Sequence, residues 1–152
     1  MDLSAYFAGF VDGEGCFTVS FSPRSKLLIG WEVRPSFSVS QNADRNEVLL
    51  LMQQHFGCGS IRPDRSDKTL KYEVRCLDDL VERIIPFFEA NPLISSKRRD
   101  FERFANVCRL VRAGAHRTQP GLREIVDLAM AMNTSGKRKF AIEAIFPQEL
   151  KL

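Results

Sequence analysis

Cysteine is scarce in this chain and poorly placed for joint work: Cys16, Cys58, Cys76 and Cys108 are widely scattered, with no C-x-x-C pair. That spacing suits neither a zinc site nor a disulfide framework, so buried free thiols are the expectation. Histidine is rarer still: His55 and His116 have no metal-ligand partner at useful spacing and read as structural or surface residues. Long apolar runs are missing as well; residues 48–52 form a typical one, far short of the roughly 20 residues a membrane span needs. With no secretory pattern at the start, an intracellular protein that is not secreted and has no membrane partner is expected. Nor is one charge strongly in excess. A net charge of +3 permits an anionic partner without establishing one, so the placement of the basic residues has to decide.

What is present is enough for one domain: 152 residues, 44% of them hydrophobic, can bury a real core, and a single domain over 1–152 is expected. Ser4 can cap a short helix over residues 5–12 that Gly13 and Gly15 end. That helix is apolar nearly all round and must be covered on more than one side. Ala5, Gly9 and Gly13 recur every four residues as a stripe without bulk, a surface that lets two helix backbones approach closely. Phe17, Val19 and Phe21 then alternate with Thr18, Ser20 and Ser22, as a half-buried strand requires. Trp31, Val33, Pro35, Phe37 and Val39 repeat the pattern against Glu32, Arg34, Ser36, Ser38 and Ser40, and Pro35 implies an edge or a bulge. Arg24 and Lys26 sit on the turn between the two strands.

A helix is expected over residues 45–56, ended by Gly57. A second hairpin follows, with Ile61, Leu70, Tyr72 and Val74 on one face and Arg62, Thr69, Lys71, Glu73 and Arg75 on the other. Asp78 can cap a helix over 79–85 that Pro86 kinks or ends, and Asn91 with Pro92 breaks the chain again. Ser96 caps a helix that turns Phe101, Phe104, Cys108 and Val111 inward. A last helix spans 122–132, and a basic tail begins at about 134 with Lys137, Arg138 and Lys139. Phe101, Phe104, Met130 and Met132 read as packing residues, and no organic cofactor is expected. The plan is α+β, one sheet with helices on its apolar side. Its open face carries Ser, Thr, Arg, Lys and Glu, side chains able to read base edges in a major groove that is wide enough for a β-ribbon. Plain solvent-facing strand positions look the same.

Residues 7–15, FAGFVDGEG, decide between these readings. They resemble the signature of the LAGLIDADG homing endonucleases, with Ala8, Gly9, Asp12, Gly13, Glu14 and Gly15 at the family's positions. The resemblance implies an α-β-β-α-β-β-α order with a saddle-shaped antiparallel sheet and helices on one face. It also implies two motif helices packed side by side. A single copy of the motif then requires a homodimer, with Ala5, Ala8, Gly9, Asp12 and Gly13 at the interface and a nearly palindromic double-stranded DNA target. Glu14, with the carbonyl of Gly13, would hold Mg²⁺; Mn²⁺ would substitute, and Ca²⁺ would bind without supporting cleavage. The family more often has Asp where Glu14 stands. Gln41, ending the second strand's polar face, resembles the residue that orients a water, Arg45 the basic group of that water network, and Lys97 the lysine near the phosphate.

Thr18, Ser20, Ser22, Arg24, Lys26, Glu32, Arg34, Ser36, Ser38, Ser40, Arg62, Thr69, Lys71, Glu73 and Arg75 would meet DNA. Among these, Arg34, Arg62 and Arg75 suit guanine, while Glu32 and Glu73 either favour cytosine or position a neighbouring Arg. Lys137, Arg138 and Lys139 suit phosphates. The activity implied is hydrolysis of both strands with short 3′ overhangs, by a protein encoded in an intron of an organellar (chloroplast or mitochondrial) or bacterial gene. An intron-RNA-binding maturase and a non-cutting DNA-binding regulator are the rivals; retention of Glu14, Gln41, Arg45 and Lys97 argues against the regulator.

Overall fold

Helix α1 (Leu3–Glu14) starts one residue earlier than Ser4 suggests, because Asp2 is the cap: its carboxylate accepts the amides of Ser4 at 3.0 Å and Ala5 at 3.2 Å. The computed structural model describes residues 1–66, 68–134 and 140–147, and Lys137, Arg138 and Lys139 lie outside them. The helix turns Phe7, Ala8 and Val11 into the core and passes directly into strand β1 (Gly15–Pro23). Strand β2 (Trp31–Asn42) pairs with it antiparallel in unbroken register from Gly15↔Val39 to Pro23↔Trp31. Strands β3 (Ser60–Pro63) and β4 (Thr69–Val74) complete a four-stranded sheet in the order β1-β2-β4-β3.

Pro35 causes no bulge. It tolerates a central strand because β4 pairs with β2 only from Phe37 onward, so residue 35 is an edge on that side. The alternation read from sequence holds: Phe17, Val19, Phe21, Val33, Phe37, Val39, Tyr72 and Val74 are all buried. Phe17 stacks on Phe37 at 5.3 Å and meets Phe88, Phe101 and Phe104 at 5.2–5.5 Å, so the helices lie on this face of the sheet.

The α-β-β-α-β-β order holds through β4, with changes at the ends of elements. A 3₁₀ turn (Ala43–Arg45) precedes α2 (Glu47–Phe56), so Arg45 is not part of that helix. After β4 the chain is helical for longer than Pro86 suggests. Helix α3 (Leu77–Asp79) starts after Cys76, whose side chain makes no capping bond, and so before the expected cap Asp78. A wider π turn (Leu80–Ile84) follows, and α4 (Ile85–Ala90) continues through Pro86. Ile85 donates to the carbonyl of Leu80, five residues back, and this enlarged turn places the proline ring where it does not break the helix. Asn91 ends the run, donating from both its amide and its side chain to Phe87.

Helix α5 (Lys97–Arg112) is the long central helix, and α6 (Gln119–Met130) packs beside it. Thr118 caps α6, accepting from the Gly121 amide. The tail is more than a basic extension. Helix α7 (Ile142–Ile145) buries Ile145 and Phe146, and Phe140 meets Trp31 edge-on at 5.2 Å. All four cysteines are free, but only Cys108 is fully buried, and its burial pushes the thiol up to about 12; Cys76 is exposed, contrary to expectation. Among the described residues no helix is long and apolar enough to cross a membrane.

The turn into β3 depends on Gly59. Its φ is +84°, and an added Cβ would lie 2.7 Å from the Tyr72 ring, 2.8 Å from the Glu73 carbonyl and 2.9 Å from Val74. Left-handed strain and overpacking together are expected to make Gly59→Ala destabilising by about 2–4 kcal/mol. A urea titration should show a lower midpoint with an unchanged slope; a midpoint equal to that of the parent would refute the close-approach argument.

Candidate active site and nucleic-acid interface

Gly15 brings α1 to an abrupt end. A Cβ there would sit 2.5 Å from the Val11 side chain and 2.9 Å from its carbonyl, so only glycine lets the chain fold back from helix to strand at this point. Glu14 is consequently left exposed on the last residue of the helix, where carbonyls lacking amide partners concentrate negative partial charge.

The start of α5 is bound to this end. Lys97 Nζ donates to the Val11 carbonyl at 3.0 Å. Asp12 accepts the backbone amides of Ile94 and Ser95, each at 3.0 Å, together with the Ser95 hydroxyl. The Ser95 hydroxyl oxygen in turn accepts the Lys97 amide at 3.2 Å, in place of the side-chain cap expected from Ser96. Partial burial works against the Asp12 carboxylate, but the bonds from Ser95 and Ile94 and the charge of Lys97 outweigh it and hold its pKa below the usual value. Asp12 therefore spends its carboxylate within its own chain, joining two segments about 80 residues apart. At Cys16 burial raises the thiol pKa, against the opposing charges of Lys97 and Lys71.

Gln41 lies two residues past the Gly15↔Val39 pair, where β2 runs on beyond the point at which α1 enters the sheet. Its placement corrects one expectation: it pairs with Leu70 and shares the pleat face of Val39, whereas Ser40 pairs with Lys71 on the polar face. Arg45 closes the exposed 3₁₀ turn after β2. Glu14 and Lys97 are thus gathered at one helix end, and Gln41 and Arg45 follow from the strand beside it.

Along α1, Ala5, Gly9 and Gly13 form an exposed stripe, and a Cβ added at Gly9 or Gly13 meets nothing within 4 Å of its own chain. Ala8 is different. It is 9% exposed and packs into its own core, so it does not lie on that stripe.

Every described residue proposed for the open sheet face is exposed or only partly buried. The face is cross-linked: Arg24 and Arg34 share the Glu32 carboxylate at 3.0 and 3.1 Å, and Arg62 meets Glu73 at 3.1 Å. Lys71 meets Asp64 at 3.4 Å, and Ser36 and Ser40 donate to Glu73 and Asp64. The sequence reading missed Asp64, although it stands two residues after Arg62 and so continues the strand's polar phase. It also missed Ser95. His55 is packed among the rings of Phe7, Phe56 and Phe87, in keeping with a structural role.

Among the described residues no three His, Cys, Asp or Glu side chains come together, so one chain does not supply a closed metal cage. The donors at the end of α1, a carboxylate and backbone carbonyls, are all hard oxygens. They fit a hard divalent cation that keeps several waters or takes ligands from elsewhere.

A glycine-ended helix with a terminal acid thus feeds a four-stranded antiparallel sheet whose open face is charged. The chain belongs to the LAGLIDADG endonuclease family, whose model matches residues 7–108. It is 33% identical over 151 residues to homing endonuclease I-ApeII of Aeropyrum pernix, covering 94% of this chain and 87% of the relative. It is 32% identical to a probable intron-encoded endonuclease of Neurospora crassa, but spans only about a quarter of that protein's length, 24%, while 84% of this chain is matched. Among solved structures it resembles I-SmaMI, bound to uncleaved DNA in the presence of calcium ions, with TM-score 0.88 and 34% identity. That match covers 95% of this chain and 49% of the other.

Proposed function

We propose that this chain is one subunit of a homodimeric homing endonuclease. It binds a long, nearly palindromic double-stranded DNA site and hydrolyses both strands, leaving short 3′ overhangs. The observation that carries the reading is Glu14, exposed at the end of a glycine-striped helix with Lys97 hydrogen-bonded to the same helix end. The match that covers 95% of this chain but only 49% of DNA-bound I-SmaMI supports a need for two copies. The exposed stripe of Ala5, Gly9 and Gly13 offers a surface on which the second copy's α1 would pack.

Glu14 and the Gly13 carbonyl would hold Mg²⁺, or Mn²⁺ in its place, together with phosphate oxygens, and Ca²⁺ would bind there without supporting cleavage. A bound ion of this kind activates water and neutralises charge on the phosphate and the departing 3′ oxygen. Lys97 adds a fixed positive charge at the same helix end, held by the Val11 carbonyl and by the Asp12–Ser95 clamp. Gln41 supplies an amide that can orient a water, and Arg45, on the turn that follows the strand, a cation. Relatives named as intron-encoded support an origin within an intron.

The test is a selection of cleaved sites from a random-sequence DNA library with Mg²⁺, using the Glu14→Gln protein as the control. The expected result is a two-fold-related consensus that appears only with the parent protein. Recovery of no site would end the nuclease reading, and tight intron-RNA binding under the same conditions would replace it with the maturase reading.

A further inference from the structure

Three carboxylates stand on a face proposed to meet a polyanion, where an unpaired acid would repel phosphates. None of the three is unpaired. Glu73 on β4 uses one oxygen for Arg62 of β3, at 3.1 Å, and the other for the Ser36 hydroxyl of β2, at 3.3 Å. The register makes both partners diagonal neighbours, since Glu73 lies opposite Ser60 on one side and Ser38 on the other. The acid lies deeper than the base: the Glu73 side chain is 12% exposed and that of Arg62 is 51% exposed. Glu32, 33% exposed, takes Arg24 at 52% and Arg34 at 40% on the same oxygen. Asp64 lies level with Lys71, 20% against 24% exposed, with Lys71 at 3.4 Å from one oxygen and Ser40 donating to the other at 3.1 Å.

This layering bears on what each group can contact. A carboxylate that reads cytosine has to offer an outward oxygen to the N4 amino group. Both oxygens of Glu73 already accept, and its partner covers it. Arg62 has five N–H donors and commits one nitrogen to Glu73, which fixes one edge of its planar fork on a side chain that is 51% exposed. A guanidinium held in this way loses less rotamer freedom on meeting the O6 and N7 of guanine than a mobile one does.

Resting on the proposal that the sheet face meets DNA, we infer that Glu73 and Glu32 are specificity-determining positioning residues. They aim Arg62, and Arg34 with Arg24, at guanine, and Glu73, with both oxygens committed, does not itself read a base. Guanine is the base selected at the pairs facing Arg62 and Arg34, and exchanging either partner of a pair disturbs the same base pair.

The experiment measures binding, in EDTA, to duplexes carrying every single-base change across one half of the site recovered by selection. The proteins are the parent, Arg62→Ala, Glu73→Gln, Arg34→Ala, Glu32→Gln and Arg75→Ala, each shown to melt cooperatively near the parent temperature. Guanine discrimination at one base pair is expected to be roughly 5- to 100-fold in the parent. It should collapse to within about threefold in both Arg62→Ala and Glu73→Gln, because only the bidentate contact carries it. Glu73→Gln should also bind unrelated duplex more tightly, because a negative charge has been removed, whereas Arg62→Ala should bind it more weakly. A purely structural role for Glu73 would weaken binding to all sequences alike.

The inference is overturned if Glu73→Gln relaxes a cytosine preference at a base pair that Arg62→Ala leaves intact, or if it leaves every preference unchanged. It is also overturned if Arg62→Ala is silent while Arg34→Ala or Arg75→Ala shifts a base pair, which leaves the DNA-facing sheet standing. If all three arginine variants are silent, the DNA-facing sheet itself is refuted.

Discussion

Glu14→Gln is expected to remove cleavage while leaving dimer and DNA binding in place. Glu14 is exposed and lies at the end of α1, so its replacement opens no cavity and exposes no core residue. What the amide loses is the charge that would hold a divalent cation beside the phosphate. Losing a single transition-state charge contact costs on the order of 10²- to 10³-fold in rate, and losing the ion altogether should cost more. Single-turnover cleavage in Mg²⁺, read beside a gel-shift titration in EDTA, separates the two effects. Binding that falls together with cleavage would make Glu14 a structural residue.

Gly9→Leu should have an effect as large by a different route. A Cβ at Gly9 meets nothing within 4 Å of its own chain, so a side chain starts there without a clash and improves the isolated subunit's helix by about 0.5–1 kcal/mol. At a close helix-to-helix contact, however, two added isobutyl groups would collide. Overpacking of about 1–3 kcal/mol per copy weakens association by on the order of 10²-fold or more. Sedimentation equilibrium should show monomers at concentrations where the parent is dimeric, with thermal unfolding of the monomer unimpaired and cleavage lost. A Gly9→Leu protein that still dimerises would place the partner elsewhere than on α1.

The strands were readable because a half-buried strand displays its burial every second residue, and Phe17, Val19 and Phe21 leave little choice of face. Helix α5 was readable for the corresponding reason, through Phe101, Phe104, Cys108 and Val111. Helix ends were less so. Asp2 and Ser4 are equally good caps by residue type, and Ser95 and Ser96 stand side by side, so only the path of the chain decides between them. The continuation through Pro86 was hidden because a π turn shifts hydrogen bonding by one residue without a signature in side-chain pattern.

Of the site, Glu14 and the glycines were legible from the motif, and Lys97 only through family resemblance. Its bond to Val11 spans 86 positions, and no local rule links the two. The same is true of Ser36 with Glu73, 37 positions apart, which is why sequence alone left Glu73 open between reading cytosine and positioning an Arg. The face of Gln41 was legible from the alternation alone. Its neighbour Ser40 ends the polar run, and counting by twos from Val39 reaches Gln41, so strict alternation already assigns it the face on which the pleat puts it.

The three glycines near the end of α1 answer to different constraints, and this would shape the chain's descent. Gly15 is required by the subunit's own turn, whereas nothing in the subunit crowds a side chain at Gly9 or Gly13, and only the proposed partner helix would require glycine there. If two copies of such a gene fused in tandem, each half would face a neighbour no longer identical to itself. A larger residue on one helix could then be matched by a smaller one on the other, while both halves kept the glycine at the turn. Gly9 and Gly13 are therefore the positions at which the halves of a fused descendant would first be free to differ.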